Sequence, residues 1–182
     1  MEQREEVAIL GGGCFWCIEA VFRRLDGVSE ALSGYAGGHV ANPTYEQVCG
    51  KKTGHAEVVR VRFDPARISF ETILDVFFTA HDPTTPDRQG NDVGPQYRSV
   101  VFCQDDVQRE TLRAKIDSID ASGAHSDRVV TEVAGPATFY PAENYHQDYF
   151  RQHGHEPYCS FVVAPKVAKC IKVFGHLMRD AE

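Results

Sequence analysis

The stretch Val7-Ala8-Ile9-Leu10-Gly11-Gly12-Gly13-Cys14-Phe15-Trp16-Cys17-Ile18 decides how the chain begins to fold. Four apolar residues running into three glycines read as a short buried strand that breaks at its far end. Beyond the break, Phe15, Ile18, Phe22 and Leu25 share one face of a helix that starts near Cys14 and stops at Asp26-Gly27. Glycine lets the backbone turn sharply and lets a ligand approach it closely. Cys14 then stands at a helix N-terminus, where unpaired N–H groups and the positive end of the helix dipole favour an anion. A thiolate is such an anion, so the expectation is a lowered thiol pKa and a nucleophilic sulfur at neutral pH.

Working outward, Val28 to Tyr35 reads as a second strand and Ala36 to Thr44 as loop. Val59, Val61 and Phe63 alternate with Val58, Arg60 and Arg62, which predicts a strand with one solvated side, stopped by Asp64-Pro65. Ser69 is placed to cap a helix carrying Phe70, Ile73, Leu74, Phe77 and Phe78. His81 to Gln96 is a long polar loop, and loops of that length usually carry function or move. Ser99 to Phe102 is a strand, Asp105 to Ser122 a helix with Leu112, Ile116 and Ile119 inward, and Val129 to Val133 a strand. Phe139 to Phe150 is aromatic-rich and irregular or shortly helical, and Ala164 to Phe174 is a weaker terminal helix. The alternation predicts an α/β (α+β) fold: a two-layer sandwich with a mixed sheet and a ferredoxin-like core.

The 182 residues fit one domain, and the 42% apolar content suffices for a core. A net charge of -7 without clusters of Lys or Arg argues against nucleic acid and anionic membranes as partners. No segment approaches the ~18 apolar residues of a membrane span. The charged start, Met1 to Glu6, is followed by no signal-peptide run, so the expected location is cytoplasmic. Six cysteines in a reducing compartment are then packing residues or catalytic thiols, not a disulfide framework.

Cys17 lies one turn beyond Cys14 and can approach it with modest adjustment. One reading of C-x-x-C is half a zinc site, but no second ligand pair stands at suitable spacing. His153, His155 and Cys159 form a loose cluster; a metal-responsive module built on them would require bound metal. Another reading is a general thiol–disulfide oxidoreductase, which fits a strand–loop–helix. The blandest is that both cysteines merely pack, which three glycines ahead of a helix start make costly. Phe15 and Trp16, the latter the only tryptophan, offer walls for a small soft group such as an S-methyl.

Further blocks carry a resemblance. Gly13-Cys14-Phe15-Trp16, Ser33-Gly34-Tyr35-Ala36-Gly37-Gly38, Asn42-Pro43-Thr44-Tyr45, Gly54-His55-Ala56-Glu57, Asp92-Val93-Gly94-Pro95-Gln96-Tyr97-Arg98-Ser99 and Glu143-Asn144-Tyr145-His146-Gln147-Asp148-Tyr149 resemble, in order, the peptide methionine sulfoxide reductase A family. The resemblance covers roughly Ala8 to Lys169 and implies one reductase domain over residues 1–182. It implies protein repair under oxidative stress: reduction of the S epimer of methionine sulfoxide, free or in oxidised proteins. Cys14 would be the nucleophile and Glu57 the acid. Tyr45 and Tyr97 would donate to the sulfoxide oxygen, Phe15 and Trp16 would cage the methyl, Asp92 would order the pocket and Tyr158 would line it. His146, Asp148 and Tyr149 would support their loop. A sulfenic acid on Cys14 would condense to an intramolecular disulfide, and thioredoxin would reduce it. No metal or organic cofactor is implied, and a monomer is expected.

Many members have Gly where Cys17 stands and keep their resolving cysteines in a glycine-rich tail. Here the tail Tyr158-Cys159-Ser160-Phe161-Val162-Val163 is apolar and reads as ordered. Proximity favours Cys17 as the resolving thiol, with Cys159 as its rival. Cys170 reads as a second-stage relay or a surface thiol, and Cys49 and Cys103 as packing residues.

Overall fold

The computed structural model describes residues 4–180. Two interleaved strand–helix–strand units make its centre. β1 (Glu6–Gly12), α1 (Phe15–Phe22) and β2 (Val28–Ala36) form the first. After the short α2 (Tyr45–Cys49), β3 (Ala56–Phe63) enters between β1 and β2, antiparallel to both. α3 (Phe70–Ala80) then leads past a small hairpin, β4 (Arg88–Gln89) and β5 (Asp92–Val93), to β6 (Ser99–Phe102) on the free side of β1. The order β6-β1-β3-β2 is that of the expected ferredoxin-like core. α4 (Asp106–Ser122) brings the chain to β7 (Glu132–Ala134), parallel to β6, and β8 (Tyr140–Pro141) closes the other edge on β2. The result is a mixed six-stranded sheet, β7-β6-β1-β3-β2-β8. α5 (Tyr149–His153) and α6 (Ala164–Phe174) follow.

The pleat decides which residues meet the helices. Leu10 of β1 and Val59, Val61 and Phe63 of β3 are fully buried against Ile18 and Phe22 of α1 and Ile73, Leu74 and Phe77 of α3. The reverse face is thinner: Ile9, Val58, Val100 and Phe102 form a small cluster roofed by Phe139. Arg60 reaches across that face to Glu30 at 2.9 and 3.2 Å and lies over the Phe139 ring. The expected two-layer arrangement holds, with the helices on one side.

Helix ends follow the expected chemistry. Ser69 Oγ accepts the Thr72 N–H at 3.1 Å, Asp105 caps α4 through the Gln108 N–H at 2.8 Å, and Gly123 ends α4 in the left-handed region. Three expectations change. α1 stops at Phe22, and Leu25 instead bridges to Met178. The strand expected over Val129 to Val133 begins only at Glu132. The Val129 N–H is taken by Asp120 Oδ1 and the Val130 N–H by the Pro83 carbonyl, both at 2.8 Å, so neither can join the sheet. The polar segment 81–96 is not plain loop: it holds the β4–β5 hairpin and a 3-10 turn, Pro95–Tyr97.

The glycines before Cys14 make room for that segment. A Cβ on Gly12 would lie 2.9 Å from the His81 ring, and one on Gly13, whose φ is +91°, within 2.5 Å of Gln89 Cγ. The close approach is thus by the protein's own side chains, not by a ligand as expected. Gly13→Ala should cost about 2–4 kcal/mol through left-handed strain and overpacking together. An unchanged urea midpoint would refute this. Among the described residues no helix is long and apolar enough to cross a membrane.

Candidate active site

Cys14 ends the turn out of β1 and is the N-cap of α1, as the sequence predicts. Cys14, 7% exposed, lines a cavity of about 200 Å³ together with Phe15, Trp16, Tyr45, Glu57, Asp92, Tyr97 and Tyr158. Every residue expected to contact substrate is there. They arrive from five elements: α1, α2, β3, the hairpin with its 3-10 turn, and the turn into α6.

Glu57 is on β3 with Val59 and Val61 on the helix-facing side, opposite Tyr35 of β2. Its Oε1 accepts the Phe15 N–H at 3.2 Å, so the carboxyl satisfies one of the free amides at the start of α1. Desolvation pushes Glu57 up to about 8, against that hydrogen bond, and keeps it a carboxylic acid at neutral pH. An exposed strand-start glutamate, the bland expectation, is excluded. Burial likewise raises the hydroxyls of Tyr45, Tyr97 and Tyr158, so all three remain donors. Tyr158 spends its proton on Asp92 Oδ2 at 2.6 Å, which fixes both side chains directly. Tyr45 is held by a five-residue helix whose start is a reciprocal cap, with Thr44 and Gln47 bonding each other's backbone N–H groups at 2.9 and 3.2 Å.

Trp16 is clamped. Its ring stacks on Tyr149 at 3.7 Å and 5°, meets Tyr158 edge-on, and donates its N–H to His146 Nδ1 at 3.1 Å. An indole N–H only donates, so His146 carries its proton on Nε2, which faces Glu143 at 3.5 Å. Phe15 packs on Tyr35 and His146.

The electrostatics of the thiols differ from expectation. Burial pushes the Cys14 thiol well above its ordinary value, and the neighbouring Cys17 thiol and the Glu57 charge act in the same direction. The Trp16 N–H at the helix start does lower it, as the dipole argument requires, but desolvation outweighs that contact. The lowered thiol is Cys17, through its hydrogen bond with Cys14. Of the two buried thiols, Cys14 is therefore the weaker acid.

Cys17 sits behind Cys14, 1% exposed, with its N–H on the Cys14 carbonyl at 3.2 Å. All six thiols are free. Cys159 opens a π-helical turn, Cys159–Val163, and is sealed in the helical core beside α1. Cys170 is also fully buried, which rules out the surface-thiol reading. Cys103 packs as expected, whereas Cys49 is half-buried and hydrogen-bonded with Tyr45. His153 bonds Glu156 at 3.1 Å, and among the described residues no three His, Cys, Asp or Glu side chains are grouped to hold a metal.

Glu19 escaped the reading of the sequence. Both its oxygens accept the Asp148 N–H, at 2.9 and 3.0 Å, and its burial lifts it to about 7. That anchors the segment delivering His146 and Tyr149 to Trp16. The signal was there: Glu19 is the one charged residue in Phe15-Trp16-Cys17-Ile18-Glu19-Ala20-Val21-Phe22.

A buried dithiol beneath a pocket of protonated donors defines a thiol-dependent oxidoreductase. Comparison with known proteins narrows the class. The family model for peptide methionine sulfoxide reductase matches residues 6–176. The peptide methionine sulfoxide reductase MsrA of Ralstonia nicotianae is 54% identical over 181 residues, 97% of this chain and 95% of that protein. The MsrA of Nautilia profundicola is 53% identical, covering 91% and 94%. Mxr1 from Saccharomyces cerevisiae in its reduced form superposes with a TM-score of 0.76 at 32% identity, covering 87% and 91%. The chain belongs to the peptide methionine sulfoxide reductase family, and it is an enzyme of that activity.

Proposed function

We propose that the cavity receives the side chain of methionine S-sulfoxide, free or in an oxidised protein, and that Cys14 attacks its sulfur. The observation that carries this reading is the presence of Cys14, protonated Glu57, Tyr45 and Tyr97 in one cavity of about 200 Å³ with an aromatic wall. As sulfur is attacked, Glu57 gives its proton to the sulfoxide oxygen, and Tyr45 and Tyr97 donate to that oxygen. The proton leaving Cys14 replaces the one Glu57 gives up. The methionine sulfur gains two electrons, Cys14 loses two, and the oxygen ends on Cys14 as a sulfenic acid. Phe15 and Trp16 hold the methyl, Tyr158 and Asp92 frame the opening, and the chirality at sulfur decides which epimer puts its oxygen toward the donors.

Cys17 then displaces the oxygen as water and forms a disulfide with Cys14. Cys159 is the alternative resolving thiol; adjacency favours Cys17. An external dithiol restores both thiols. The yeast relative Mxr1 forms a complex with Trx2, and a thioredoxin is the reductant we assign here. Six free thiols suit a reducing compartment, and we place the enzyme in the cytoplasm, with residues 1–182 as one domain.

Reduced protein mixed with each epimer, without reductant, tests this. One methionine from the S epimer alone, with loss of two thiols, is expected. No methionine from either epimer would overturn the reading.

A further inference from the structure

A groove of about 630 Å³ begins where the substrate cavity ends. Asp92 and Tyr158 line both, so their hydrogen-bonded pair is the shared wall. Lys166 and Lys169, on the first turns of α6, face the groove, and Phe161 stands on its rim with 81% exposure. The carboxylates along it are engaged: Asp92 by Tyr158, and Asp82 by the Thr84 N–H at 2.9 Å and hydroxyl at 2.6 Å. The two ammonium groups are not. Among the described residues, Lys115 is the lysine found in ion pairs.

The substrate cavity, about 200 Å³, takes little more than one methionine sulfoxide residue. The flanking residues of a protein substrate must therefore lie on adjoining surface, and this groove is continuous with the cavity. Lys166 and Lys169 balance the charges of Asp82 and Asp92, so the groove carries no net charge on a chain of net charge -7, and among the described residues its two ammonium groups are left without an ion-pair partner. We propose that the groove holds the peptide on one side of the oxidised methionine and selects an acidic residue there. This rests on the sulfoxide reading of the cavity. Phe161 supplies apolar contact for the same segment, and His125 adds a third cation to the groove when protonated.

The test compares four probes on the intact enzyme. They are free methionine S-sulfoxide, and peptides with one methionine sulfoxide flanked by alanines or by an aspartate pair placed before or after it. Wild type should show kcat/KM about fivefold higher for one acidic peptide than for the alanine peptide at low salt, approaching parity at high salt. The preference should appear on one flank only, because the groove leaves the cavity on one side. Lys169→Glu should weaken the ratio, and Lys166→Glu with Lys169→Glu should invert it, each ratio taken within one variant. Equal ratios for both flanks, or no change in the double variant, would overturn the proposal. So would a double variant whose sole change is a raised KM for the reducing protein, since the groove would then seat the reductant. Failure of wild type to reduce free methionine S-sulfoxide would instead count against the function itself.

Discussion

Glu57→Gln should slow methionine formation in a single turnover by about 10²- to 10³-fold, the range expected when a positioned proton donor is lost. Glutamine keeps the shape and can still accept the Phe15 N–H, so the first turn of α1 stays capped. What disappears is the proton for the sulfoxide oxygen. The pH profile separates this from misfolding. Glu57 works as an acid and titrates near 8, so the wild-type rate should fall as pH rises through about 8, and that limb should vanish in the variant. Stability should move the opposite way. A carboxyl whose folded pKa lies above its unfolded value contributes stability that is fully present at low pH. That contribution is lost as pH rises through the folded value. Ionised and buried, Glu57 therefore costs the native state several kcal/mol above pH 8. Glu57→Gln should be more resistant to urea than wild type at pH 9 and less active at pH 7. A variant that reduces substrate at the wild-type rate would remove Glu57 from the mechanism.

Cys17→Ser should leave the chemical step intact and cut turnover with a dithiol reductant by about 100-fold. Each methionine formed should then consume one thiol in place of two, and a sulfenic acid on Cys14 should persist long enough to trap with a carbon nucleophile. The argument is one of place. Cys17 is one turn from Cys14, in hydrogen-bond contact with its sulfur, and its thiol is held below the ordinary value. Cys159 lies in the helical core with its thiol pushed up by burial, and joining it to Cys14 would require the π-helical turn to rearrange. If Cys159→Ser gives the one-thiol result and Cys17→Ser does not, the assignment reverses.

The β1–turn–α1 unit, the capped helices and the strand–helix alternation were legible because each rests on local pattern: an apolar run, a glycine break, a cap, an alternation. The contact residues of the cavity were legible only through the family blocks. Nothing in the sequence near Tyr45, Tyr97 or Asp92 says that α2, the 3-10 turn and the hairpin converge on Cys14, because convergence is a tertiary fact. The thiol pKa went wrong for a related reason. A helix N-terminus can be read from a sequence, but the depth to which its first residue is buried cannot, and here burial is the stronger effect. Val129 and Val130 show the same limit: their β-branched side chains suit a strand, yet Asp120 and Pro83 claim their amides first.

The depth of Cys17 has a kinetic consequence. In the proposed Cys14–Cys17 disulfide, the sulfur facing the cavity would be that of Cys14, which lines the cavity where Cys17 does not. An incoming thiolate would therefore bond to Cys14, the sulfur it can reach, and expel Cys17. Substrate and reductant would then meet the enzyme at the same sulfur and take turns at it. Methionine has to depart before the enzyme can be recharged, so accumulating product competes with the reductant for the oxidised form, and the two half-reactions alternate in strict order.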